Sequence, residues 1–594
     1  MRNVRKLGVA TAVALAMFIT TAARAQVLTM VPADAMVVIK IKNMQDVSAK
    51  VAALSQQWGL ANIRPELNDP LGTLLTAVGL GAGMNKNGEA AVAILKPAPG
   101  AGEPGIVALV AVTDYKAFAA SLPNAKPEGD VTTFGLQGNP QPMYAKDWGK
   151  FAAISNIKTM VAAKGAGVTA AAVSAKELAS KDLIVFANMK AISKEVLPQF
   201  QQMKPQILQM MDQGMAQGGG VNPKYAPALK AYFGQFLEIA EGFLRDSNGA
   251  AFGINLSKDG ISTTLMAEFE PGSYGGKAIA GMKNTDASFT AGLPDGKYFV
   301  YGGLAINPEV DLKLFDDFVA PIEKELKALG AEGQPLLDYG NAMRSYFGAA
   351  KQMNFGMVAP PAAAIGQQGL IQAVSVVTGD TGKLSAAQKQ MMATQDQIMK
   401  MTGAGDLVKT TVKPAAKTLE GVTLDSFTAT VNMQPQTPQE QQAAFMLQML
   451  YGPKGMTGYY GAVGADKMVA VAGGDDALLT AAIQSAKNGS DALGKGVAAK
   501  VAAGLPQNRL GVLYLPIDTI ATTVLDVMAA RGMPGGVKLP PNLPPLAWAL
   551  DSEGSAIRVD GYIPAQTVQS LIAAGMQMWL QGMNGGGAGQ PGGL

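Results

Sequence analysis

Residues 254–281 read INLSKDGISTTLMAEFEPGSYGGKAIAG. Asp259-Gly260 separates two runs of alternating character. Both central residues of a type I′ turn need positive φ, so this pair marks a β-hairpin. After the turn, Ile261, Thr263, Leu265, Ala267 and Phe269 fall on one side of a strand, and Thr264, Glu268 and Glu270 on the other. A period of two implies antiparallel strands with one face in water. The stretch therefore spells strand, tight turn, strand, proline, helix.

The same order returns in residues 548–575, WALDSEGSAIRVDGYIPAQTVQSLIAAG, where Ile557 and Val559 alternate with Arg558 and Asp560. Upstream, residues 89–122 match residues 353–391. Each reads apolar strand, Pro/Ala/Gly loop, second apolar strand, then Thr or Asp before a helix, with Pro97 and Pro99 where Pro360 and Pro361 stand. An apolar strand running into a helix occurs at 34–54, 182–197, 296–315 and 509–527, twice in each half. Matching motifs in matching order imply a duplicated unit. The halves fall at 27–290 and 291–582. The expected fold is α+β, with two similar halves of antiparallel hairpins and strand–helix units, the helices packed on one sheet face.

In residues 225–246, Leu229, Tyr232, Phe233, Phe236, Leu237, Ala240, Phe243 and Leu244 form a wide helical apolar stripe of the kind that packs on a core. Asn248-Gly249 is expected to end that helix. Residues 199–215 and 384–401 also read as helices. Residues 433–457 have no counterpart in the first half and read as an insertion containing a helix. Residues 583–594 read as a Gly-rich flexible tail.

The opening of the chain, MRNVRKLGVATAVALAMFITTAARAQ, has the layout of a secretory signal peptide. Arg2, Arg5 and Lys6 precede an apolar run, and Ala23-Arg24-Ala25 has the small-x-small pattern of a cleavage site. Cleavage is expected between Ala25 and Gln26, giving an exported protein of the periplasm or extracellular space. Removal of 1–25 takes away four basic residues and no acid, which leaves 44 basic against 45 acidic. A near-neutral chain with no basic stripe is not built to neutralise nucleic-acid phosphates. No later apolar run approaches the length of a membrane span, so a soluble mature chain is expected.

The segment that follows, Pro32-Ala33-Asp34, an alternating strand and Asn43, resembles uncharacterised exported bacterial, planctomycete-like proteins of a domain-of-unknown-function family. The hairpin start Asn87-Gly88-Glu89-Ala90 is similar too. The resemblance implies export and carries over no active residue.

Of the 594 residues, 48% are hydrophobic and 16% charged, which excludes intrinsic disorder. Cysteine is absent, and with it disulfides, iron–sulfur clusters and thiolate zinc sites. Histidine is absent as well, removing the commonest general base and metal ligand.

Three motifs approach catalytic patterns. Gly489 to Lys495 is nearly a P-loop, but Gly496 replaces the magnesium-binding hydroxyl and the segment follows a helix. Asp380-Thr381-Gly382 follows an apolar run as in aspartic proteases, yet no second copy exists to share a proton, and Asp380 matches Asp114 as a helix cap. Ser155 and Lys158 fit Ser-x-x-Lys without its partner motifs, and Ser155 matches Asp475 as another cap. Paired carboxylates remain open as a hydrolytic device. Methionines cluster at Met203, Met210, Met211 and Met215 and at Met391, Met392, Met399 and Met401. They read as core filling, as an apolar ligand surface, or as Cu(I) ligands. Lys40 and Lys42 alternate with Ile39 and Ile41 and read as a solvated, edge-protecting face.

These readings point to an exported, non-catalytic protein, structural or interacting with another envelope component, with no catalytic, cofactor or metal site assigned. The alternatives are a carrier holding a hydrophobic ligand in a Met-rich apolar groove and a carboxylate-based hydrolase.

Overall fold

The computed structural model describes residues 26–97, 104–135, 141–162, 164–216, 223–364, 369–401, 408–431, 438–452, 455–530, 532 and 536–585. The expected signal peptide, including Ala25, lies outside the described residues. Helix 47% and antiparallel strand 29% make the protein α+β. It divides into two compact units. The first takes the residues up to Pro198, Phe243–Gly276 and Glu553–Ile557; the second takes Gln199–Gly242, Lys277–Ser552 and the residues from Arg558 onward.

The first ten strands and their helices run β1 (Val37–Ile41), α1 (Met44–Gln57), α2 (Pro70–Val78), β2 (Ala90–Ile94), β3 (Ile106–Ala111), α3 (Tyr115–Ser121), β4 (Lys126–Glu128), β5 (Val131–Gly135), β6 (Pro142–Asp147), β7 (Phe151–Ser155), α4 (Lys158–Ala162), α5 (Ala172–Ser180), β8 (Leu183–Ala187), α6 (Met189–Ala216), α7 (Ala226–Asp246), β9 (Ser247–Ser257), β10 (Gly260–Phe269) and α8 (Tyr274–Gly281). These strands pair in the order β4-β5-β6-β7-β3-β2-β1-β8-β9-β10, every pair antiparallel.

The second ten follow as β11 (Tyr298–Ala305), α9 (Pro308–Ala328), α10 (Gln334–Ala349), β12 (Ala350–Val358), β13 (Gln372–Gly379), α11 (Thr381–Met401), β14 (Val408–Leu419), β15 (Val422–Val431), α12 (Pro438–Tyr451), β16 (Met456–Val463), β17 (Lys467–Ala472), α13 (Asp476–Asn488), α14 (Ala492–Lys495), α15 (Ala499–Ala502), β18 (Gly511–Leu515), α16 (Ile517–Ala530), β19 (Leu546–Glu553), β20 (Ala556–Pro564) and α17 (Ala565–Gly585). Their order is β14-β15-β16-β17-β13-β12-β11-β18-β19-β20. Shifted by ten, it is the order of the first set. α12 lies between β15 and β16, where the first set has only residues 136–141 between β5 and β6.

Each set packs an apolar core of its own. Ala91, Ala93, Val107 and Leu109 pack with Val38 and Phe151 in the first unit. Tyr298, Tyr301, Val374, Val376, Leu424 and Ile483 do so in the second.

Three local expectations need correction. On β10 the buried side is Thr264, Met266 and Glu268, while Leu265 is exposed. Burial of Glu268 is tolerable because its carboxylate accepts from the N–H groups of Val173 (3.1 Å) and Ser174 (2.7 Å) and from Ser174 Oγ (2.7 Å) at the start of α5. Lys40 is buried, not solvated, because β1 is a central strand between β2 and β8. Its Nζ donates to the Leu178 carbonyl (2.9 Å) and pairs with Glu89 (3.1 Å). As expected, α7 stops at Asp246 ahead of Asn248-Gly249, and the chain passes directly into β9, where a Cβ on Gly249 would stand 2.6 Å from the Phe186 ring. Residues 583–585, expected in a flexible tail, are the last residues of α17; residues 586–594 lie outside the described residues.

Candidate functional site

Asn307-Pro308 opens α9, and the Asp311 carboxylate accepts from the Asn307 N–H (2.7 Å). From there Phe315, Phe318, Val319, Ile322 and Leu326 recur at helical spacing along one face. On α10, Leu336, Tyr339, Gly340 and Met343 repeat at i, i+3, i+4 and i+7. At the start of α7, Tyr225, Ala228, Leu229 and Tyr232 repeat the same intervals. These three stripes, with Ile398 of α11, line an open groove of about 610 Å³. All of these residues belong to the second unit. Ala228 and Leu326 of the lining form a buried cluster with Leu337.

The groove is aromatic at one edge. The Tyr232 ring meets Phe236 at 5.0 Å and Phe318 at 5.8 Å, and Phe236 meets Phe318 at 5.5 Å, all edge to face. Glu323 is the one charged residue of the lining. Its carboxylate is paired with the Arg344 guanidinium, which also binds Asp316 and lies over the Phe315 ring at 5.7 Å. Desolvation pulls the Arg344 pKa down, but the hydrogen bonds it donates to Glu323 and Asp316 outweigh it and leave the pKa raised. The charge is therefore spent within the wall, and the space itself is apolar.

The helix expected to bury its apolar stripe does the reverse. Of α7 only Ala228 is buried, while Tyr232, Phe233, Phe236 and Ile239 are 40–57% exposed. The methionines do not make the groove. Met203 and Met210 are exposed, Met211, Met215 and Met392 half-buried, and Met391 buried. The side chains of Met399 and Met401 lie outside the described residues. Among the described residues Met343 is the one methionine of the lining, which is otherwise mainly aromatic and aliphatic. Sequence reading missed α9 and α10 as site helices. The signal was present in residues 308–349, where apolar residues fall at helical intervals behind Pro308.

The motifs resembling catalytic ones act as local structure. Asp380 Oδ1 accepts from the Lys383 N–H (3.1 Å) at the start of α11, and that backbone bond holds its carboxyl below the ordinary carboxylate range. Asp114 accepts from Ala117 N–H (3.1 Å) at the start of α3. Ser155 Oγ donates to the Ile106 carbonyl (2.6 Å) and accepts from Ile157 N–H (3.1 Å). Asp475 caps α13 through Ala477 and Leu478. In residues 489–495, Gly489 ends α13 at φ +61° and Asp491 accepts the Gly494 N–H (3.2 Å), so a carboxylate occupies the donor a phosphate would need. Gln26, the residue after the expected cleavage point, begins a 3-10 turn (Gln26–Thr29), and the next N–H, of Val27, donates to Glu89 Oε2 (2.9 Å).

Among the described residues no cluster of three or more acidic side chains is arranged to hold a metal ion. Among them, too, no helix is long and apolar enough to cross a membrane.

No family model matches the chain, so the resemblance of its opening to a family of unknown function has no counterpart there. No curated protein matches it. One solved structure, crystal form III of TP0453, is similar over 48% of this chain and 97% of that one, at 10% identity and a TM-score of 0.18. A likeness at that score carries no argument about fold or role.

Proposed function

We propose that this is an exported, non-catalytic binding protein whose second unit holds the apolar part of a small ligand, such as a lipid acyl chain. The observation that carries the reading is the groove between α7, α9, α10 and α11. Its 610 Å³ lies within the range of small-molecule sites, and its lining is apolar apart from the paired Glu323. Export rests on the composition of residues 1–25. A structural or interaction role at the envelope remains compatible with such a binder, and the groove supplies that role with an occupant. A carboxylate hydrolase draws less support, because Glu323 has no second carboxylate beside it in the lining and is engaged by Arg344.

The test is titration of the purified full chain with a fluorescent fatty acid, with native mass spectrometry for lipid carried through purification. Ile322→Trp fills the groove from a half-buried wall position. Binding is expected in the wild type and lost in the variant, with the thermal unfolding midpoint little changed. A wild type that binds no probe, or a variant that binds it equally, overturns the reading. Turnover of any ester or glycoside that disappears in Glu323→Gln overturns its non-catalytic part.

A further inference from the structure

The helices α6 and α7 distribute their side chains in the opposite way to helices in water. Their facing sides are charged. Lys204 of α6 pairs with Glu238 (2.6 Å) and Glu241 (2.7 Å) of α7, Gln201 donates to Glu241 (2.9 Å), and Lys230 pairs with Asp212. The seam is partly closed to solvent, with the side chains of Lys204 and Glu241 18% and 15% exposed. Their apolar residues point elsewhere. At about 100° per residue, Tyr232, Phe236 and Ile239 lie roughly opposite Lys230, Glu238 and Glu241 on α7, and Met203 and Met210 lie roughly opposite Gln201 and Lys204 on α6. Each of these five is exposed. Glu238, Lys230 and Asp212, at the margins of the seam, stay 43–60% exposed, but every seam charge is paired, and a helix pair that matches its charges on one side and exposes rings and thioethers on the other suits an apolar medium against that second side.

We infer that the exposed stripe of α7, with the outer methionines of α6, docks on the surface of a neutral lipid bilayer. Three observations select that occupant. The stripe is continuous with the groove, since Tyr232 both lines the groove and stands exposed, so an acyl chain leaving a bilayer under the stripe enters the groove without crossing water. This part of the argument rests on the proposed function. The charges of the seam are already paired with one another, which leaves no cationic face for anionic headgroups. In the same unit, the 21-residue α17 carries no charged residue and exposes Leu571, Met578, Trp579 and Leu580, a composition suited to the lipid interface. Docking is therefore driven by apolar insertion and needs no membrane-spanning helix.

The experiment is flotation of the full chain with phosphatidylcholine vesicles, with and without phosphatidylglycerol, at low and high salt. Wild type is expected to float with both compositions and at both salt levels. The double variant Phe236→Asp, Ile239→Asp is expected to lose flotation about tenfold or more, and its circular dichroism should match wild type because both side chains are exposed. Ile322→Trp should still float while losing the fatty-acid probe, which separates docking from groove occupancy. Four outcomes overturn the inference: no flotation with neutral vesicles, flotation abolished by salt, a double variant that floats like wild type, or a dimer in solution that the double variant dissolves while neither protein binds vesicles. The last result would make a second copy of the chain the occupant.

Discussion

Between β1 and β2 the first set of strands carries helices of 14 and 9 residues; between β11 and β12 the second carries helices of 21 and 16. The helix after β3 has 7 residues, and the one after β13 has 21. The strand order is the same in both. An antiparallel ladder satisfies its backbone groups strand to strand, so the links between strands can lengthen without disturbing it. The lengthened helices have more apolar surface than they cover. α9 buries only Leu326 among its 21 residues, whereas α1 buries Met44, Ser48, Leu54 and Ser55 among 14. The groove is what this uncovered surface leaves. The same scaffold recurs in both sets of strands, and in the second its longer helices leave an apolar groove.

That contrast can be broken most directly by core truncation. Leu109→Ala, at a fully buried position of β3, is expected to cost about 2–5 kcal/mol in urea denaturation. Ile322→Ala in the half-buried groove wall should cost less than half as much; equal losses would show that the groove helices are as much a part of the core as the strands. Next in size is Glu268→Ala, which leaves the N–H groups of Val173 and Ser174 without their acceptor and should destabilise the first unit by about 2–3 kcal/mol.

A subtler probe is pH. Burial lowers the Lys40 pKa from 10.5, while Glu89 opposes the shift. Between the lowered value and 10.5 the unfolded chain holds a proton that the folded chain has released, so stability from this group rises with pH across that window. Lys40→Met should remove that rise, seen as a flatter dependence of the denaturation midpoint on alkaline pH. The smallest effect is expected at Lys204→Met. Desolvation opposes the hydrogen bonds to Glu238 and Glu241, but they prevail and raise the Lys204 pKa. Its contribution is then present below 10.5 and lost as pH climbs through the raised value. The pair is partly exposed, so the change should stay within about 1 kcal/mol. A larger loss would make the charged seam a structural core of the α6–α7 pair.

Much of the scaffold was legible before any coordinates. A hairpin does join β9 to β10 at Asp259-Gly260, but not as the type I′ turn that pair implies: Gly260 already pairs with Ser257, leaving Lys258-Asp259 as the link, and of Asp259 and Gly260 only the glycine has a positive φ. Asp114, Asp380 and Asp475 read as caps because free N–H groups at a helix start are satisfied by the residue just before it. The burial of β10 was not legible, since Glu268 faces inward only because the start of α5, some 94 residues earlier, supplies its donors. The candidate site was legible only in pieces. Its helical stripes are present in the residues, but Phe318 and Tyr232 meet across 86 positions of sequence.

By itself the sequence determined the local grammar: where strands turn, where helices begin, which motifs repeat, and that no imidazole or thiol is available for chemistry. Those properties depend on neighbours a few bonds away. Tertiary structure alone decided which side of each element is covered. An apolar stripe states only that a face avoids water; whether α7 meets a core, a ligand or a membrane depends on where distant helices stand.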